Sequence, residues 1–163
     1  MARKVFHSFH FKPDSHRVSQ VRNMGVIEGQ TVLSGNEWEK VKKQGDKAVE
    51  DWIAQHMKGR SCVVVLIGAQ TAGRKWVKHE IIKAWNDKRG VVGVHIHGLK
   101  NLAGAQATKG SNPFTSITVG GKTLSTIVKT YDTPYSASTN VYKHIQDNLD
   151  AWVEEAIEIR AKY

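Results

Sequence analysis

With 163 residues, 40% hydrophobic and 24% charged, the chain has an ordinary globular composition and is long enough for one domain that buries roughly two-thirds of its unfolded surface. No apolar run approaches the roughly 18 residues of a membrane span, and the opening MARKVFHSFHF carries too many His and Lys for a signal peptide, so a cytoplasmic location is expected. The net charge of +9 is spread along the chain without a basic run, which argues against a nucleic-acid tail, although a basic surface still favours an anionic ligand such as a dinucleotide.

Residues 4–11, KVFHSFHF, set Val5, His7, Phe9 and Phe11 on one face and Phe6 on the other. This predicts the first strand, placed centrally in a sheet. Pro13, Asp14 and Ser15 predict a helix start with Asp14 or Ser15 as cap, and a short helix to about Asn23 that turns Val18 and Val21 inward. Residues 24–35 are mixed and read as a weak strand or loop near the ligand side. Residues 37–58 are helical in pattern, interrupted near Gly45, with Ala48, Val49, Trp52 and Ile53 as the clearest stripe and Gly59 as a stop.

Residues 61–86 organise the rest. Cys62–Ile67 is an unbroken, β-branched apolar run, the pattern of a strand buried on both faces inside a parallel sheet. Cys62 reads there as a small buried hydrophobe. A polar turn over residues 69–75 follows, then a helix with Val77, Ile81, Ala84 and Trp85 as its stripe, ended by Gly90. Residues 91–96, VVGVHI, read as another buried strand. Residues 98–113 form a long polar loop of the kind that is functional or mobile. Residues 116–119 and 123–128 flank Gly120-Gly121 as a hairpin, residues 131–138 turn around Pro134, and residues 139–162 form a long helix carrying Val141, Ile145, Leu149, Trp152, Val153 and Ala156. Strand–helix alternation of this kind implies βαβ units, right-handed crossovers and a flavodoxin-like three-layer α/β sandwich with a mainly parallel sheet.

The familiar chemical motifs are absent. Gly121-Lys122-Thr123 imitates the tail of a phosphate-binding loop, but Ser116 stands where that motif needs glycine and a strand-like run follows where it needs a helix. No G-x-G-x-x-G follows the first strand and no G-x-S-x-G elbow occurs. His95-x-His97 lacks carboxylate or Cys partners at ligand spacing, so no metal is expected. A receiver domain would need acidic residues after the first strand and an aspartate ending the third, where this chain has Ile67-Gly68.

Glu80 stands out because it lies on the flank of an apolar stripe, in the second turn of a helix that follows a buried strand. In open α/β sheets ligands bind outside the carboxyl ends of the strands. A carboxylate there is costly unless water, a partner or a ligand meets it. The alternative is a surface helix residue paired with Lys83 or Arg74.

Together, KVFHSFHF, SCVVVLIGAQT, GRKWVKHEI, VVGVHI and GSNPF (residues 110–114) resemble the TIR-like proteins of the bacterial Thoeris anti-phage system, a branch of the Toll/interleukin-1 receptor superfamily. The resemblance runs from Lys4 to about Phe114 and is weaker beyond. It implies one TIR-like domain over residues 1–163 and an NAD-cleaving activity, glycohydrolase or ADP-ribosyl cyclase, that makes a cyclic ADP-ribose-type second messenger in anti-phage defence. Glu80, in Trp76-x-x-x-Glu80, matches the glutamate essential in catalytic TIR domains. The wider family has a serine and a cysteine ahead of it, where Arg74 and His79 stand here.

The resemblance further implies NAD as substrate and no cofactor, stacking surfaces from Phe9, Phe11 and Trp76, and hydrogen bonds or phosphate pairing from Ser8, His10 and Arg17. It implies self-association of TIR domains and an effector protein activated by the nucleotide product, with no membrane and no specific nucleic acid as partner. Losing neutral nicotinamide needs no general acid, and one carboxylate beside the ribose can stabilise the developing oxocarbenium charge. The competing expectation is a non-catalytic TIR-like adaptor that works by self-association or partner docking.

Overall fold

The computed structural model describes residues 2–163. The apolar runs become β1 (Val5–Ser8), β2 (Cys62–Ile67) and β3 (Gly90–His95), all buried at every position, and a short β6 (Thr130–Tyr131) completes a four-stranded parallel sheet in the order β1-β2-β3-β6. The register pairs Ser8 with Val65 and Ile67 with His95, so the strands end together along one edge.

Period-two alternation sends successive side chains to opposite faces. Val5, Cys62, Val64, Leu66, Val92 and Val94 join the core beneath α1 (Phe11–Asn23) and α5 (Ser138–Ala161). Phe6, Val63, Val65, Ile67 and Val91 join the opposite core, beneath α3 (Asp46–Met57) and α4 (Lys75–Asn86). Buried aliphatic side chains fill the first core, and aliphatics with Phe6, Phe114 and Trp85 fill the second, each large side chain worth about 1.5–3 kcal/mol of transfer free energy. The result is the three-layer α/β sandwich expected from the alternation of elements.

Several local expectations change. The first strand is not central: β2 covers one side of β1, and the other side meets only an isolated bridge between Lys4 and Glu28. The Gln30 side chain continues that edge like a strand. Its Oε1 accepts from the His7 backbone N–H at 2.8 Å and its Nε2 donates to the His7 carbonyl at 2.9 Å. The mixed residues 24–35 thus replace a paired strand by one bridge and one amide.

β1 ends at Ser8, so Phe9 and Phe11 leave the strand alternation. α1 begins two residues before Pro13, with His10 at the N-cap and no side-chain cap, and Asp14 is buried inside the helix instead of capping it. The helical pattern of residues 37–58 divides at Gly45 (φ +101°) into α2 (Gly35–Lys43) and α3. Gly59 stops α3 with φ +76°. α2 starts with a capping box in which the Ser34 hydroxyl accepts from the Glu37 N–H and the Glu37 carboxylate accepts from the Ser34 N–H.

Gly90 does not end α4. It opens β3 under the α5 backbone, where a Cβ would lie 2.8 Å from the Ile157 nitrogen. The hairpin at Gly120-Gly121 forms, but as two-residue strands β4 (Thr118–Val119) and β5 (Lys122–Thr123), and a 3-10 turn follows in place of the expected longer strand. β6 lies at the start of the stretch read only as a turn. Among the described residues no helix is long and apolar enough to cross a membrane.

Candidate active site

The site is built where β1 hands over to α1 and β2 hands over to α4. Ser8 follows Phe6 by two residues and therefore faces the α4 side of the sheet. Glu80 lies one turn beyond Trp76 on α4, between Val77 and Ile81, and helical spacing aims it at the same place. The Ser8 hydroxyl donates to Glu80 Oε1 at 2.6 Å, and both side chains are buried, Glu80 at 7% exposure. Glu80 is therefore not the solvent-facing partner of Lys83 or Arg74. Lys83 pairs with Asp87, and Arg74 turns back to the Gln70 carbonyl.

Burial pushes the Glu80 carboxyl from an ordinary 4.5 up to about 8, and the Ser8 hydrogen bond only partly offsets that. In the environment that the protein alone provides, the group is mostly protonated at neutral pH.

Glu80 forms part of the lining of a cleft of about 660 Å³, within the size range of small-molecule sites. Phe9 and Phe11 line it with their ring centroids 6.3 Å apart, and Trp76 from α4 lines it as well. Trp38 and Trp52 also line it, edge to face at 5.8 Å, and Phe6 packs against Trp52. Trp76 carries the Lys75 ammonium over one face at 4.8 Å and meets His79 edge-on. His10 lies at the mouth, half-buried, with Nδ1 unpartnered. Burial lowers its pKa first, and the Arg74, Lys42 and Lys12 cations lower it further.

Of the residues singled out from sequence, the cleft lining brings together Glu80, Phe9, His10, Phe11 and Trp76, with Ser8 bonded to Glu80. Arg17 is not brought there. Its guanidinium is buried on the other side of α1, donating from Nε to the Leu99 carbonyl at 2.8 Å and from Nη2 to the Ala105 carbonyl at 3.0 Å. Nη1 pairs with Asp14 at 3.0 Å. Nε and Nη2 tie the 98–113 loop to α1 and Nη1 is held by Asp14 and the Pro13 carbonyl, so the guanidinium is committed away from the cleft. Among the described residues no cluster of His, Cys, Asp or Glu is arranged to hold a metal, and the His95 and His97 rings meet edge-on.

The sequence reading missed Trp38, Trp52, Lys12, Lys42 and Gln30. Trp52 carried an apolar-stripe signal, but nothing local told which end of α3 met the first strand. Trp38 and Lys42 sit on α2, which buries no residue, so periodicity gave no direction. The capping box Ser34-x-x-Glu37 was the one legible sign that a separate helix starts beside the loop.

A parallel sheet with helices on both faces, and a cleft at the carboxyl ends of its first two strands holding a buried helix glutamate, defines a flavodoxin-like protein of the TIR-like class. The profile of the Thoeris protein ThsB, TIR-like domain, matches residues 6–101, more than half of the chain, and the chain belongs to that family. Its similarity to a relative is of the same kind. Over 119 residues it is 37% identical to a Bacillus cereus (strain MSX-D12) protein named "Putative cyclic ADP-D-ribose synthase ThsB1", covering 70% of this chain and 62% of that protein. The match thus spans less than two-thirds of the relative's length.

Proposed function

We propose that the cleft binds NAD as substrate and breaks its nicotinamide–ribose bond, giving a cyclic ADP-ribose-type second messenger that activates an effector protein in anti-phage defence. The observation that carries this reading is Glu80: a carboxyl buried in a ligand-sized cleft, held by one hydroxyl and, among the described residues, left without a protein cation. The relative's name, a cyclic ADP-ribose synthase, points the same way.

NAD brings the missing charge. Its pyridinium-bearing ribose, set against Glu80, favours the ionised carboxylate and returns the raised pKa toward its ordinary range. The Ser8 hydroxyl, donating to Oε1, fixes which oxygen remains free for the ligand. As the C1′–N bond breaks, both bonding electrons leave with neutral nicotinamide and positive charge passes to the ribose. The Glu80 carboxylate stabilises that charge where water is largely replaced by Phe9, Phe11 and Trp76.

The acceptor then decides the product. Water gives ADP-ribose with loss of one proton. A ribose hydroxyl of the same molecule gives a cyclic isomer, also with loss of one proton, which Glu80 can take. Aromatic walls that disfavour water favour the internal acceptor. Self-association of the domains is part of the same reading.

Nicotinamide release from NAD, with products identified by chromatography and mass spectrometry, tests the proposal on the purified protein across a concentration series and on extracts of phage-infected cells. Activity in the native protein and its loss in Glu80→Gln is the expected result. No nicotinamide release under any of these conditions would leave the non-catalytic adaptor as the reading of this fold.

A further inference from the structure

The cleft has a chemically distinct outer half. Four cations, Lys12, Lys42, Arg74 and Lys75, contribute to its lining, against two carboxyl groups, Glu39 and the buried Glu80. Three of those cations come from separate elements: Lys12 from the first turn of α1, Lys42 from the end of α2 and Arg74 from the N-cap of α4. They converge in space, because the single His10 imidazole at the mouth feels all three.

Lysines and arginines elsewhere on this basic chain commonly pair with a carboxylate, as Lys47, Lys83, Lys129 and Lys143 do. Among the described residues, Lys12 and Arg74 have no carboxylate within salt-bridge distance. Lys42 has only the exposed Glu39 on its own helix, at 2.9 Å. Like charges gathered at one mouth repel one another and weaken the fold, a cost that an anionic ligand removes. The N-termini of α1 and α4 open onto the same place without side-chain caps, so their free N–H groups add to the positive potential.

Resting on the reading of Glu80 given above, we infer that Lys12, Lys42 and Arg74 form a diphosphate subsite. It selects a dinucleotide over a nucleoside and sets the glycosidic bond over Glu80. These are positioning residues: they hold the diphosphate bridge while the ribose next to it reaches the inner half of the cleft. Arg74 supplies a fork that can meet two phosphate oxygens, and the two lysines supply mobile point charges. Arg17, the arginine the sequence offered for this task, is fully engaged elsewhere.

The test is the triple variant Lys12→Ala/Lys42→Ala/Arg74→Ala of the full chain, with its fold checked by circular dichroism and thermal melting. With NAD, KM is expected to rise roughly tenfold to a hundredfold, the loss of two or three charge-assisted contacts, while kcat moves far less. The preference for NAD over nicotinamide riboside is expected to collapse, because the riboside lacks the diphosphate. ADP binding by calorimetry is expected to be weakened similarly, and Arg74→Lys in the otherwise native protein to retain most of it.

A KM for NAD unchanged in the triple variant would overturn the subsite, as would an equal loss for NAD and the riboside. ADP that binds the triple variant as well as the native protein, or binds neither, would do the same. Should the native protein bind ADP through these residues yet release no nicotinamide, the subsite stands and the proposed reaction falls.

Discussion

Replacing Glu80 by Gln tests the central electrostatic claim without any substrate. Gln has nearly the same shape and can accept the Ser8 hydroxyl through its amide oxygen, but it cannot ionise. Burial raises the Glu80 carboxyl from 4.5 to about 8, so the folded protein holds this proton more tightly than the unfolded chain does. The stability that comes with it is fully present below pH 4.5 and is lost as pH climbs through about 8. At about 1.4 kcal/mol per pH unit, the whole window amounts to roughly 5 kcal/mol, of which about 3 kcal/mol is already gone at neutral pH. Native protein and Glu80→Gln are therefore expected to be similarly stable near pH 4.5. The native protein falls progressively behind up to about pH 8, and the gap is constant above that. Urea unfolding of both proteins at half-unit steps from pH 4.5 to 9 measures the difference, and every other titrating group, His7 included, cancels in it. A difference that stays flat across this range would mean that Glu80 ionises at an ordinary pH and is not shielded from water.

Ser8→Ala removes the hydroxyl that favours the charged carboxyl, so the upper break in that stability difference is expected to move to higher pH, read in the same titration. Arg17→Met is expected to destabilise the fold by about 3–5 kcal/mol, because it strands the buried Asp14 and frees two loop carbonyls. Denaturant unfolding gives the size, and faster amide exchange across residues 98–107 shows that the loop has lost its anchor. Burial raises the Cys62 thiol and keeps it protonated inside β2, so an aromatic disulfide reagent is expected to label it only at the rate of unfolding. Rapid labelling of the native protein would place that strand nearer to solvent.

The parts of the fold that were legible are those in which local pattern and tertiary role agree. The run Cys62–Ile67 could only be a strand covered on both faces, and the Val77, Ile81, Ala84 and Trp85 stripe could only be its helix. Glu80 was visible against that stripe as a costly exception. What was hidden depended on neighbours distant in sequence. The Gln30 side chain substitutes for a strand along β1, and no local pattern announces an amide in that role. Gly90 looked like a helix stop, yet it is glycine because the α5 backbone, far along the chain, passes within a Cβ's reach. Arg17 followed an aromatic strand end and looked available. Its partners Leu99 and Ala105 lie in a loop with no periodicity to place it.

Two buried acids in this one fold stand in opposite electrostatic settings. Asp14 and Arg17 are 1% and 3% exposed, and there the fold itself supplies a cation for the carboxylate at 3.0 Å. Glu80 is almost as deeply buried, yet among the described residues no Lys, Arg or His lies within 4.0 Å of it, although the chain carries a net charge of +9. Its hydrogen-bond partner among the described residues is a neutral hydroxyl. A cation close by would have cancelled its burial cost and also its capacity to answer one. The cations instead stand at the mouth of the cleft, the place of the diphosphate subsite proposed above, and leave the inner carboxyl without a counter-charge. A ligand that is anionic along its bridge and cationic at one end matches both halves of that arrangement at once, and a nicotinamide dinucleotide has that distribution of charge.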